Sequence, residues 1–598
     1  MNNQKLLQVP FNNVIIQDKF WGKWLETHRN TTIKVCMNYM ENMGRLKNFY
    51  RATGQLDGEF EGIYFDDADI YKTLEAIAYT LMHKKDDEIE SWADKVIDLI
   101  GLTQEQNGYL NTYFQIMAPD KKWTDMEKHE DFCCGQLIEA SLAYKKATGK
   151  EKLLKIACKF VEHMMNVMGP GKMHWVVGHE GPELALVKLY NETGEEKYLE
   201  FSRWLLEERG HGHGKGMIWD KEEWGPRYCQ DDKPVRELEN VSGHAVRAMF
   251  LYSGMADVAA ITGDEGYIDA LHRLWDSVVL RYMYVTGGIG STRMNEGFTK
   301  DFDLPNDSAY CETCAAIGMI FWNQRMTMLH GDSKYADIVE KEMYNGALSG
   351  ISLSGDKFFY VNPLETDGTH HRQEWYGCSC CPTQLIRFIP SIGGYVYAVS
   401  KDSIWINQYM SNEGTVTLNS RKIHIKQETD FPWNGDVEIL LNIEKQQSFG
   451  LNLRIPNWCK SSKVFINGEL SEDYIYEQGY IKINRTWKNG DKVLLKLQMN
   501  VEIIHADARV KDNRGLVCLQ YGPTVYCFEE SDNKEKYESI KVNDKCKFTI
   551  EYKENLLGGV NSLTVFTPDN EKFTAVPYFS WDNREAGKMK VWVRELEN

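Results

Sequence analysis

A helix junction that recurs four times constrains this chain more than any other feature. It reads Thr148-Gly149-Lys150-Glu151-Lys152-Leu153, Thr193-Gly194-Glu195-Glu196-Lys197-Tyr198, Thr262-Gly263-Asp264-Glu265-Gly266-Tyr267 and His330-Gly331-Asp332-Ser333-Lys334-Tyr335. In each, a glycine supplies the left-handed residue that ends one helix, polar or acidic residues open the next, and an apolar residue begins its buried face. A lone helical hairpin cannot bury its apolar stripe, so repeated hairpins must stack on one another. A fifth, degenerate pair is predicted over residues 69–83 and 88–102. A sixth joins a helix near residues 20–43 to the helix after Pro382. With its terminal elements paired, the repeat predicts a closed (α/α)6 barrel over residues 11–400; an open helical solenoid is the alternative.

The repeat also has a chemical phase. The first helices of successive pairs open with Asp66-Asp67-Ala68-Asp69, His129-Glu130-Asp131, His179-Glu180, Ser242-Gly243-His244, Cys311-Glu312-Thr313-Cys314 and Cys380-Cys381-Pro382. If these are the inner helices, their N-termini gather at one pole, where thiolates and carboxylates are stabilised. Ordinary N-capping accounts for much of Asp66 to Asp69. It does not account for three histidines and a cysteine pair in phase, which predict a pocket. Thiolates at short spacing, with a carboxylate, suit zinc, a soft tetrahedral ion. The expected ligand set is Glu312, Cys314, Cys380 and Cys381. The last two are adjacent and can serve one ion only if the backbone turns there, with Pro382 expected at a helix's first position.

Between the fourth and fifth pairs lies a glycine-rich run, Gly287-Gly288-Ile289-Gly290-Ser291, followed by Glu296 and Asp303-Leu304-Pro305-Asn306. It lacks the Gly-Lys-Ser/Thr of a phosphate loop, so nucleotide binding is not expected. A long loop beside the cysteine pole suits a catalytic carboxylate, and Glu296 is the candidate. After about residue 400 the pattern changes to short alternating segments with Asn467-Gly468 and Asn489-Gly490 turns, which predict β-sandwiches. The expected units are sandwich I over 401–505, sandwich II over 506–577, and a final stretch, 578–598, that returns to sandwich I. Residues 1–10 form a segment able to join the same sandwich.

Composition excludes several classes. Lys+Arg number 69 against 87 Asp+Glu, a net charge of −18, which disfavours nucleic acid because phosphate contacts need cations. No stretch has the length and apolarity of a membrane span, and no signal peptide is visible. Fourteen cysteines without such a signal predict reduced thiols in the cytoplasm. The β domains offer a surface for a homodimer, although nothing in the sequence requires one.

Together, the glycine-rich loop with Glu296, Asp303-Leu304-Pro305-Asn306, Cys311-Glu312-Thr313-Cys314, Phe359-Tyr360-Val361-Asn362-Pro363, Cys378-Ser379-Cys380-Cys381-Pro382 and Ser253-Gly254-Met255-Ala256-Asp257 resemble glycoside hydrolase family 127, the bacterial β-L-arabinofuranosidases. The resemblance spans most of the chain. It implies an (α/α)6 barrel followed by β-sandwich domains and a retaining exo-glycosidase acting on terminal β-L-arabinofuranosides. It further implies zinc held by Glu312, Cys314, Cys380 and Cys381, with Cys380 as nucleophile and Glu296 as general acid/base. His129, His179 and His244 would bind sugar hydroxyls, with Tyr360 near the reacting centre.

Two other readings remain at this point. In one, zinc is structural and Glu296 works with Asp66, Asp67 or Glu130 as a carboxylate pair on another pentose or an acidic sugar, since four protein ligands normally close a zinc site. In the other, the protein binds carbohydrate without catalysis, although a binding groove has little need of thiolates.

Overall fold

The computed structural model describes residues 3–221 and 224–596. All four junction glycines adopt the left-handed conformation: Gly149 at φ 76°, Gly194 at 72°, Gly263 at 70° and Gly331 at 62°. Each ends one helix and admits the next. The resulting helices are α1 (Ile33–Asn42), α2 (Asp67–His83), α3 (Asp87–Thr103), α4 (Glu130–Thr148), α5 (Lys152–Val167), α6 (Pro182–Thr193), α7 (Glu196–Glu207), α8 (Ala245–Thr262), α9 (Glu265–Ser277), α10 (Thr313–His330), α11 (Ser333–Lys341) and α12 (Cys380–Phe388).

The even-numbered helices touch in sequence from α2 through α4, α6, α8, α10 and α12, and α12 packs back against α2. Burial separates these inner helices from the others. Nearly every residue of α8 and α10 is buried. By contrast, α9 buries Tyr267, Ala270, Leu271, Leu274 and Trp275, the one-sided stripe of a helix with an outer face. Outer helices α3, α5, α7, α9 and α11 each pack on their preceding partner, and α1 contacts both α2 and α12.

Beyond the helices, strands build a six-stranded and a seven-stranded sheet, followed by a ten-stranded sheet. The N-terminal strands Leu7–Gln8 and Val14–Ile16 add to the first two, with Leu7 opposite Val399 and Val14 opposite Gly414. The third sheet begins at Val501–Ile504, which pairs with Leu516–Tyr521.

The end of the chain departs from expectation. The final stretch, expected over 578–598, does not return to the first sandwich over its described residues, 578–596. Instead Val593 pairs with Val517 inside the third sheet, and Met589–Lys590 bridges Thr524–Glu529 to Glu365–Thr366 of the helical unit. The alternation around Val591-Trp592-Val593 identifies a strand but carries no information about its partner. The buried face formed by Val517, Tyr526 and Tyr537 decides it. Among the described residues, no helix is long and apolar enough to cross a membrane.

Candidate active site

The N-termini of the inner helices converge on a cavity of about 1130 Å³. Asp69 and Lys72 line it from α2, His129, His179 and His244 from just before α4, α6 and α8, Glu312 and Cys314 from the start of α10, and Cys380 from α12. Glu296 and Tyr360 also line it, and Cys381 lies fully buried behind Cys380.

Glu312 is the N-cap residue of α10, which puts its carboxylate beside Cys314 in the first turn. Cys380 and Cys381 are the first two residues of α12, so Pro382 stands third rather than first. Proline is tolerated there because the first turn's N–H groups have no intrahelical acceptor. The Cys381 Sγ is 3.4 Å from Glu312 Oε1, while Cys380 Sγ is 3.7 Å from that oxygen and 3.9 Å from Cys381 Sγ. All four donor atoms lie within 4.8 Å of one another. A tetrahedron with metal–sulfur arms of about 2.3 Å has edges of about 3.8 Å, so the set fits one tetrahedral ion.

Electrostatics agree with the geometry. Burial, then the Cys380 and Glu296 charges, pushes the Glu312 carboxyl well above its ordinary range. Burial and the neighbouring thiols Cys314 and Cys380 do the same to Cys381. Burial also opposes ionisation of Cys314, but hydrogen bonds from Cys380 and Cys381 hold it at about 7. A cation among these donors would favour the charged forms of Glu312 and Cys381.

Several contacts fix the start of α12. Asp69 accepts from Ser379 Oγ at 2.5 Å, Thr383 Oγ1 at 3.3 Å and Arg45 Nε at 3.3 Å, and Arg45 Nη2 donates to Gly377 O at 2.7 Å. On the cavity side, the Tyr360 hydroxyl lies 3.0 Å from Cys380 Sγ. Burial, then Cys380, keeps the Tyr360 phenol protonated far above its ordinary range, so it is available to donate to a thiolate.

Glu296 reaches the cavity on a strained turn, with φ at +51°. Its carbonyl accepts from Ala245 N at 3.1 Å, and Phe298 N donates to Gly243 O at 3.0 Å, locking the loop against the start of α8. Gly297 is required for that approach, because a Cβ there would lie 1.9 Å from Gly243 O. The Glu296 carboxylate faces Tyr310 OH at 3.3 Å, Tyr228 OH at 3.4 Å and His244 Nε2 at 3.4 Å.

Burial, reinforced by the Arg247 charge, holds His129, His179 and His244 well below the ordinary histidine range, so all three are neutral. His129 Nδ1 donates to Glu127 O and His179 Nδ1 to Glu180 O, leaving each Nε2 as an acceptor. His244 has the opposite tautomer: its Nδ1 accepts from Arg247 Nε at 3.2 Å, so Nε2 carries the proton. That Nε2 lies 3.5 Å from Glu312 Oε2, and both atoms are buried without a well-formed hydrogen bond. The pocket therefore presents two acceptors and one donor for hydroxyl groups.

All nine residues predicted for the site thus come together. The carboxylates considered as partners of Glu296 do not line the cavity. Asp67 is bonded to Thr112, Glu130 to Tyr109 and Trp123, and Asp66 to Ile63 N and Arg45. Sequence reading missed Tyr228, which stacks on His244 at 5.5 Å, because its short helix carries no motif. It also missed Arg247, although a position three residues after His244 on one helix face was a usable signal.

The class of protein that joins this helical unit and its acid-and-thiol pocket to β domains is given by its relatives. Family models described as the β-L-arabinofuranosidase GH127 catalytic domain, the GH127 middle domain and the glycoside hydrolase family 127 C-terminal domain match residues 13–394, 403–499 and 501–594. The chain belongs to glycoside hydrolase family 127 and is a glycosidase. It is 35% identical to the non-reducing end β-L-arabinofuranosidase of Bifidobacterium longum subsp. longum, over 92% of each chain. A crystal structure of a GH127 β-L-arabinofuranosidase from Geobacillus stearothermophilus T6 superposes with a TM-score of 0.94 at 40% identity, covering 98% of this chain and 100% of that one. A second GH127 β-arabinofuranosidase structure gives 0.94 at 38% identity, covering 100% and 99%.

Proposed function

We propose that this protein is a retaining exo-β-L-arabinofuranosidase whose nucleophile is the Cys380 thiolate and whose general acid/base is Glu296. The observation that carries the reading is the convergence of Glu312, Cys314, Cys380 and Cys381 at the cavity, with Cys380 lining it and Cys381 buried behind. The ring of paired helices supports an (α/α)6 barrel as the scaffold. Zinc is the ion this donor set favours, and when bound it keeps the thiols deprotonated at neutral pH.

The chain's own residues supply the rest. His129 and His179 accept from sugar hydroxyls, and His244 donates to the substrate or to the carboxylates beside it. Glu296 gives its proton to the departing glycosidic oxygen as Cys380 Sγ forms a bond to the anomeric carbon. Tyr360 OH donates to the sulfur and holds it on line. Glu296 then takes a proton from water, whose oxygen replaces sulfur at the anomeric carbon. Two displacements on one carbon retain its configuration. The fourteen free thiols support a cytoplasmic location.

Hydrolysis of p-nitrophenyl β-L-arabinofuranoside tests the assignment. Cys380→Ser is expected to lower kcat/KM by a factor on the order of 10³ or more. A Cys380→Ser enzyme of near-normal activity contradicts it, and a wild type that cleaves only other pentosides corrects the sugar.

A further inference from the structure

A second set of metal-ligating side chains stands at the end of α7, and none of its members lines the cavity. Glu208, the C-cap residue of α7, accepts on a single oxygen from two imidazoles, His174 Nδ1 at 2.8 Å and His213 Nδ1 at 2.7 Å. The three donor atoms lie within 4.8 Å of one another, and the two rings face each other at 3.9 Å. Glu208 is largely buried, with 12% of its side chain exposed, whereas His174 is 62% exposed, so the set opens to solvent on one side.

The arm that carries His213 is shaped to return it to Glu208, five residues earlier. Gly210 and Gly212 adopt φ of +79° and +75°. A Cβ on Gly210 would sit 2.0 Å from Lys233 C, and one on Gly214 would sit 2.0 Å from Trp219 Nε1. The Gly210 N–H donates to Asp231 at 2.8 Å. Glycine backbone pressed against Trp219, Asp231 and Lys233 thus fixes the position of His213 before any ligand arrives.

We propose that His174, Glu208 and His213 bind a divalent transition-metal ion through two imidazole nitrogens and one carboxylate oxygen, with water completing the shell. On binding, the metal replaces the Nδ1 protons now shared with Glu208, and each imidazole keeps a proton on Nε2. The nitrogen-rich donor set suits zinc, nickel or copper rather than calcium or magnesium, which require oxygen shells. His174 lies on the stretch that delivers His179 to the cavity, and His213 on the stretch that delivers Tyr228. An ion here ties the two stretches together at their base.

Equilibrium dialysis of the full-length enzyme against zinc, with metal counted per chain, tests this independently of the glycosidase mechanism. The wild type is expected to bind one equivalent more than the His174→Ala/His213→Ala variant. Zinc should raise the Tm of the wild type by more than that of the variant, while activity on the glycoside stays equal. Glu208→Gln, which keeps the side chain's volume, should weaken the extra equivalent at least tenfold. Equal metal counts in wild type and double variant overturn the proposal.

Discussion

At the residue scale, burial governs the chemistry. His28 is buried, its Nε2 donates to Ile386 O of α12 at 2.7 Å, and desolvation lowers its pKa to about 4. The folded state holds this histidine neutral, whereas the unfolded chain protonates it near pH 6.5. Its contribution is therefore complete above about pH 6.5 and is lost as pH falls toward 4, by up to about 3 kcal/mol. Urea midpoints taken at pH 7 and pH 5 should converge in His28→Gln relative to wild type; an unchanged pH difference would exclude this residue as the source. The site's cysteines, histidines and Glu312 were legible in the sequence because the helix repeat put them in phase, and Glu296 because a long loop lies beside the cysteine pole. Tyr228 and Tyr310 were not, since their hydroxyls reach Glu296 only through loop geometry that no local pattern encodes.

At the element scale, the Glu296 loop is the least forgiving part of the site. It lies against the start of α8 through the Ala245–Glu296 and Phe298–Gly243 backbone bonds, with Gly297 at the closest approach. Gly297→Ala must move the loop away from Gly243, and with it the Glu296 carboxylate. A displacement of about 1 Å at the proposed acid/base costs on the order of 10²-fold in rate. Steady-state kinetics should give that loss in kcat with an unchanged circular dichroism spectrum; wild-type kcat would mean that the loop does not position the acid. The glycine junctions made the helices readable because a left-handed cap has a residue signature. Strand partners lack one, which is why the path of residues 578–596 departs from expectation: its register is set by a distant buried face.

At the scale of the whole molecule, the helical unit and the first sandwich are joined by a buried ion cluster. Arg454, fully buried at the end of strand Gln447–Arg454, binds Asp337 at 2.5 Å and Glu340 on α11, and Trp458 Nε1 also donates to Glu340 at 2.8 Å. Burial raises the Asp337 pKa to about 7 even against the Arg454 charge. Arg454→Met leaves two carboxylates without their cation, at a cost of about 3–5 kcal/mol. Denaturant unfolding should then begin at lower concentration and split into separate transitions; a single transition at the wild-type midpoint would show that the units are joined elsewhere. Nothing in the sequence flagged Arg454, because its partners lie more than a hundred residues away.

The whole arrangement brings six helix starts to one point, and the central claim is that sulfur, not oxygen, attacks the sugar there. Its most direct test is peptide mass spectrometry of the Glu296→Gln enzyme quenched during turnover of an activated β-L-arabinofuranoside. With the acid/base removed, the activated leaving group still departs while the second displacement slows, so the intermediate accumulates. A pentosyl adduct on the Cys380 thiol is the predicted result. An adduct on a carboxylate, or hydrolysis that proceeds with Cys380 unmodified and replaceable by serine, would contradict it.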